Sequence, residues 1–164
     1  MTVGKRILAF VSAGAVGIIT AVMATCIFDI MKVSGTAMEP SIYDGSRVLI
    51  NRMAYFFGKP ETGDVVAFSC DVYSEDEEGG RLIRRVAASE GDRVTVKNGI
   101  LYINDRIYER YETQGIYLED MDEITVGNNR VFVLSDAGTA VLDSRDQAVG
   151  MLRSDELEGK VWFK

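Results

Sequence analysis

The sequence predicts an all-β body of antiparallel type carried on a single N-terminal transmembrane helix. Three observations predict it. Ile7 to Phe28 carries no charged residue. The rest of the chain consists of short apolar runs separated by turn residues, and no long amphipathic helical pattern follows the first segment.

The uncharged run, ILAFVSAGAVGIITAVMATCIF, is long enough to cross a bilayer, which takes about 20 apolar residues. Lys5 and Arg6 precede it and Asp29 follows it, so the positive-inside rule places residues 1–6 in the cytoplasm, 7–28 in the membrane and 29–164 outside. A cleaved signal peptide is the competing reading, with Ala24 and nearby small residues as its cut site, but its apolar part is usually only about 7–15 residues long. Ala24-Thr25-Cys26 also has the look of a lipoprotein site, which the helix pattern explains without processing.

From Val33 onward strands and turns are expected. Val48-Leu49-Ile50 and Val65-Val66-Ala67-Phe68 are apolar runs, the second following a Gly63-Asp64 turn. The stretch from Asp71 to Gly80 is acidic and reads as a solvated loop. Leu82 to Ala88 resumes a strand that Gly91-Asp92 turns. Val94 and Val96 alternate before Asn98-Gly99, and Leu101 and Ile103 alternate after it. Asn-Gly between alternating runs predicts a two-residue hairpin, because both residues tolerate positive φ. Asn104-Asp105 offers a second turn, and Val131 to Leu134 and Val161 to Phe163 complete the strands. Residues 93–130 are expected to form a small hairpin subdomain. Met53 to Phe57 is an apolar, aromatic run that suits either a membrane interface or the core.

Composition narrows the chemistry. The 18 basic and 25 acidic residues leave a net charge of −7. Only Lys5 and Arg6 fall before Asp29, so the body is acidic and has no basic face for nucleic acid. The chain has no histidine, which excludes Ser-His-Asp and Cys-His mechanisms and any His-ligated metal. Cys26 lies in the apolar segment and Cys70 in the polar part, so a disulfide between them is not expected. No metal or cofactor site is expected.

Four ordered blocks carry a resemblance. They are Val33-Ser34-Gly35-Thr36-Ala37-Met38-Glu39-Pro40-Ser41-Ile42; Val48 to Arg52 with Tyr55, Phe57, Pro60 and Gly63 to Phe68; Leu82-Ile83-Arg84-Arg85-Val86 with Gly91-Asp92; and Val133-Leu134-Ser135-Asp136 running to Leu142-Asp143-Ser144-Arg145 and Gly150. Gly159-Lys160-Val161 follows at the end. Together they resemble the type I signal peptidases, membrane-bound serine proteases that remove signal peptides, in their Gram-positive-like short form without a long second domain. The resemblance implies the antiparallel signal-peptidase β fold, signal peptides or preproteins as partners, and a Ser-Lys dyad. In such a dyad a serine hydroxyl attacks the scissile carbonyl, a buried neutral lysine takes its proton, and backbone N–H groups stabilise the oxyanion.

Carried over by position, the resemblance implies a nucleophile at Ala37, a general base at Arg84 and a lysine-orienting serine at Val141. Gly35, Asp143, Ser144 and Arg145 would support the site, with Asp143 and Arg145 as an ion pair beneath it, and Met38 and Pro40 would contact substrate. Alanine has no hydroxyl, arginine stays charged, and valine has no polar atom. Ser34, Thr36 and Ser41 are the neighbouring hydroxyls, and Lys32 and Lys59 the neighbouring lysines. A shift of one position in an extended segment points a side chain the other way. The expectation is therefore a pseudoenzyme that still binds signal-peptide-like extended segments. The alternatives are an active signal peptidase in which Ala37 and Arg84 are engineered changes, and a structural membrane-tethered module.

Overall fold

A computed structural model describes residues 3–70, 80–138 and 142–163. The first element is helix α1, Val3–Ile27. Its Phe10–Ile27 portion alone is long and apolar enough to cross a membrane, with a mean hydropathy of 2.1. Phe10, Val11, Val16, Ile18, Ile19 and Val22 all stand exposed on it. Large apolar side chains with no protein against them are what a lipid-facing helix presents.

Helix gives way directly to strand β1, Phe28–Lys32, which the sequence reading did not foresee. Phe28 is the first residue of that strand and not the last of the helix. Pairing decides this. Phe28 to Lys32 runs antiparallel to Asn51 to Arg47, the Phe28 ring meets Trp162 at 5.7 Å, and Asp29 accepts from Arg52 and Arg81 at 3.0 and 2.9 Å. Long-range contacts outweigh an apolar run that reads locally as helix.

The remaining elements are β2 (Arg47–Asn51), β3 (Val65–Ser69), β4 (Arg81–Ser89), β5 (Arg93–Lys97), β6 (Ile100–Ile103), β7 (Arg106–Ile107), α2 (Glu109–Thr113), β8 (Met121–Thr125), β9 (Arg130–Leu134), β10 (Leu152–Arg153) and β11 (Leu157–Trp162). They form a seven-stranded sheet ordered β1-β2-β11-β3-β4-β9-β10 and a four-stranded sheet ordered β7-β6-β5-β8. Every pairing is antiparallel. The body is thus all-β, as the alternating runs require.

Local sequence accounts for much of this. Asn98 and Gly99 take φ of 54° and 78°, and the hairpin sets Lys97 opposite Ile100 and Val94 opposite Ile103. Asn104 and Asp105, at φ 51° and 63°, turn β6 into β7. Val65 to Phe68 is buried on both faces, because β3 lies between β11 and β4 and under side chains from each side. The acidic stretch 71–79 lies outside the described residues. Of the Met53–Phe57 run, Phe56 and Phe57 are exposed and stack edge to face, while Tyr55 packs on the core and donates its hydroxyl to Asp64 at 3.0 Å. Tyr55 thus belongs to the core, while Phe56 and Phe57 stand exposed.

Candidate functional site

The segment from Val33 to Gly45 is an irregular excursion between β1 and β2, fixed by its own backbone. Val33 N–H donates to Ser46 C=O and Gly45 N–H to Val33 C=O, at 2.8 and 2.9 Å. Gly35, at φ +88°, donates to the Asp44 carboxylate at 2.8 Å. Glu39 donates to Thr36 and Ile42 to Met38. Met38 and Ile42 are buried in the core with Val48, Ile50 and Val161. These two anchors hold Ala37 half-exposed between them and the solvent-facing Ser34 and Thr36.

Strand β4 brings the second candidate residue. Arg84 is 5% exposed. Its Nε donates to the Leu142 carbonyl and its Nη1 to the Ile83 carbonyl, both at 2.6 Å. Burial pushes its pKa down from the ordinary guanidinium value, and the nearby Asp143 charge only partly offsets this. An arginine remains a cation all the same. Ala37 and Arg84 line one groove of about 640 Å³, together with Gly35, Met38, Leu142 and residues 30–34 and 80–83.

Both walls of that groove offer unpaired strand backbone. On one side β1 is the sheet edge, with β2 as its only neighbour among the described residues. On the other, β9 pairs with β4 only from Arg85 onward, so among the described residues Arg81 to Arg84 pair with β3 alone. The open edges are a place where an extended chain can add hydrogen bonds.

Beneath the groove lies a network that the Asp136–Arg145 segment organises. Arg85 closes on both Asp136 oxygens, Nε to Oδ1 at 2.7 Å and Nη2 to Oδ2 at 2.6 Å, and its Nη1 reaches Gly63 C=O at 2.8 Å. Burial alone would lower the Arg85 pKa, and the Asp136 hydrogen bonds reverse this and raise it. Asp143 is fully buried; it accepts from Arg145 Nε and Nη2 at 2.8 and 2.6 Å and from the Ser135 N–H at 3.1 Å. Here too the carboxylate outweighs burial and raises the arginine's pKa. Ser144 is stitched to β9 twice, its N–H to Val133 C=O and its Oγ from Val133 N–H. The Ala137 N–H donates to Ala37 C=O at 3.0 Å, tying this network to the groove wall.

Of the residues the sequence singled out, Gly35, Ala37, Met38 and Arg84 thus come together on the groove. Asp143, Ser144 and Arg145 stand behind it as scaffold, the ion pair included. Pro40 is exposed, and its side chain is not part of the groove lining. Val141 lies outside the described residues. Two contributors were missed. Tyr111 donates to Ser135 C=O at 2.6 Å and lies under the Arg145 guanidinium, 5.8 Å from its ring centroid. Ile30 to Lys32 supply a whole groove wall. The only advance signal for that wall is the alternation of Phe28, Ile30 and Lys32 about Asp29 and Met31, which the preceding apolar run obscures.

Known proteins match the chain along most of its length. The family model described as signal peptidase, peptidase S26, matches residues 5–164. The chain belongs to the signal peptidase family. It is 31% identical to the thylakoidal processing peptidase 1 of Arabidopsis thaliana, over 98% of this chain and 50% of that protein. It is 27% identical to signal peptidase I of Bacillus licheniformis, over 84% of this chain and 76% of that one, and 29% identical to signal peptidase IB of Staphylococcus aureus, over 80% and 74%. The chain spans about half the length of the Arabidopsis relative. Among solved structures it is similar to a signal peptidase I from Enterococcus faecalis, with a TM-score of 0.46 and 22% identity over 62% of this chain and 96% of that one. In this chain the groove presents a methyl group at Ala37 and a guanidinium at Arg84.

Proposed function

We propose that this signal peptidase homologue is a membrane-anchored pseudoenzyme. It holds signal-peptide-like extended segments in the groove between β1 and β4 and does not cut them. The observation that carries the reading is the coincidence of two open strand edges with Ala37 and Arg84 on one groove. Strand addition needs only backbone, so it survives loss of the dyad. Proton abstraction does not survive. Ala37 has no proton to give up, and Arg84 has no free base form to receive one.

The anchor is α1, with residues 1–6 cytoplasmic, residues 7–27 in the membrane and the β body from Phe28 on the far side, and with 93–130 as a small appended unit. Lys5 and Arg6 before the span favour that orientation. Partners are signal peptides or preproteins that end their recognition segment in small-x-small residues.

The test is restoration. Ala37→Ser, Arg84→Lys and Val141→Ser are introduced together in the full chain, which is then offered a preprotein in detergent. Cleavage by the restored chain and none by the natural one is the expected result. Cleavage by the chain as it stands overturns the pseudoenzyme reading and returns an active peptidase. Failure of both chains to bind or cut favours a structural membrane-tethered module.

A further inference from the structure

The groove has a charge that the rest of the molecule does not predict. The chain is acidic, with a net charge of −7. Yet among the described residues the groove lining includes Lys32, Arg81 and Arg84 and no carboxylate. Arg81 is already answered, by Asp29 at 2.9 Å and Glu158 at 2.6 Å. Lys32 is exposed. Arg84 differs from both. It is buried, and its partners among the described residues are two backbone carbonyls, Leu142 and Ile83. Its Nη2 has no acceptor among them. The carboxylate whose charge acts on it, Asp143, is committed to Arg145 and to the Ser135 N–H. Nη2 is not among the buried atoms without a partner, so it opens on the groove that Arg84 lines. There it can donate a charge-assisted hydrogen bond to a carboxylate.

We propose that Arg84 supplies the anchor for a free C-terminal carboxylate, so that the preferred ligand is a peptide ending in the groove rather than one running through it. The inference rests on the peptide-binding reading above and sharpens its ligand. The peptide lies extended along the open edges of β1 and β4, and its terminal carboxylate meets Arg84 beside Ala37. The small side chain at Ala37 and the apolar Met38 and Leu142 suit a small apolar residue at the ligand's end. Such a ligand carries a carboxylate where an intact substrate carries an amide. The reaction that supplies it is hydrolysis of a peptide bond by another enzyme, which leaves the acyl half as the free acid. The chain then acts after the cut, as a receptor for the product.

The experiment uses the full natural chain in nonionic detergent at neutral pH and low salt, with a fluorescent peptide ending Ala-Xaa-Ala. Three forms are compared by fluorescence anisotropy: the free acid, the C-terminal amide, and the same sequence extended by several residues. Free acetate is added as a competitor. The expected result is binding of the acid at least tenfold tighter than of the amide or the extended form, with acetate at the peptide's concentration displacing none of it. Arg84→Met is expected to bring the acid down to the affinity of the amide, and Arg84→Lys to keep part of the preference. Equal binding of acid and amide by the natural chain overturns the carboxylate anchor and leaves the peptide groove standing. Displacement by equimolar acetate overturns it too, by reducing the site to a simple anion pocket. Binding of none of the three overturns the groove reading and this inference with it.

Discussion

Arg84 and Arg85 are consecutive residues of β4, both buried, and only Arg85 is hydrogen-bonded to a carboxylate. Alternation along the strand sends them to opposite faces. Arg85 closes a two-pronged pair with Asp136 and joins β4 to the end of β9, whereas Arg84 turns to the groove and is held by carbonyls. One arginine is structural, and the other presents charge.

That difference sets the first prediction. Asp136 is fully buried, and Arg110 approaches it as well, at 3.5 Å. Asp136→Asn leaves the Arg85 charge uncompensated in the interior. The loss expected is about 3–5 kcal/mol of stability, the usual cost of breaking a buried pair by removing one partner. Urea denaturation of the detergent-solubilised chain measures it. A loss below about 1 kcal/mol would show that water or Gly63 C=O compensates Arg85 without the carboxylate.

Arg84→Lys tests whether position 84 has the electrostatics of a base pocket. The burial that depresses the arginine acts equally on a lysine, the group that titrates more readily when desolvated. The lysine pKa is expected to fall below the ordinary value of about 10.4. Between the lowered folded pKa and the unfolded value, the unfolded chain holds the extra proton, so stability of the variant rises with pH across that window and levels off above about 10.4. Side-chain NMR of the lysine gives the pKa directly. Titration at or above the ordinary value would mean that the pocket lets water in around position 84.

The sequence carries much of this in advance, and where it does not the reason is physical. Asn98-Gly99 and Asn104-Asp105 specify their turns locally, since positive φ is a property of those residues. The burial of Val65 to Phe68 follows from an unbroken apolar run. The groove walls are another matter. Strand β1 exists because Arg47 to Asn51 pairs with it, and the free edge of Arg81 to Arg84 exists because β9 stops at Leu134. Neither fact is local. Tyr111 is similar, for its contact with Ser135 C=O spans 24 residues and leaves no motif. The blocks of the family pattern located Ala37 and Arg84, but only pairing topology puts them on one groove.

The tyrosines make stability fall at alkaline pH. Burial, with Asp64 beside it, pushes the Tyr55 pKa well above 10. Burial does the same for Tyr111, against the opposing pull of Arg145 and its bond to Ser135. An unfolded tyrosine ionises near 10. Above that pH the folded chain binds more protons than the unfolded one, so the contribution is intact below about pH 10 and lost as pH rises, by about 1.4 kcal/mol per unit for each tyrosine. Thermal melts between pH 9 and 11.5 are expected to show a decline that Tyr55→Phe and Tyr111→Phe each flatten. An unchanged slope in both variants would assign the decline to other groups.

Gly159 shows what the last block of the family pattern does in this fold. It stands at a bulge in β11, where pairing with β3 shifts register between Leu157 and Gly159. A Cβ there would overlap the Asn51 carbonyl oxygen, with the Asn51 carbonyl carbon at 2.8 Å and the Arg52 Cα at 3.0 Å. All three are backbone atoms of the chain leaving β2, so no side chain can swing aside to make room. Since β11 joins β2 to β3, any retreat also strains the link between the edge that forms the groove and the rest of the sheet. Gly159→Ala is expected to cost about 1–3 kcal/mol, as overpacking does, and to loosen β1 and β2 with β11. Hydrogen exchange at Val48 to Ile50 against that at Val131 to Val133 tests the second part. Faster exchange in β2 with β9 unchanged is the expected pattern, whereas uniform acceleration would mean that the substitution lowers global stability without a local effect on the groove wall.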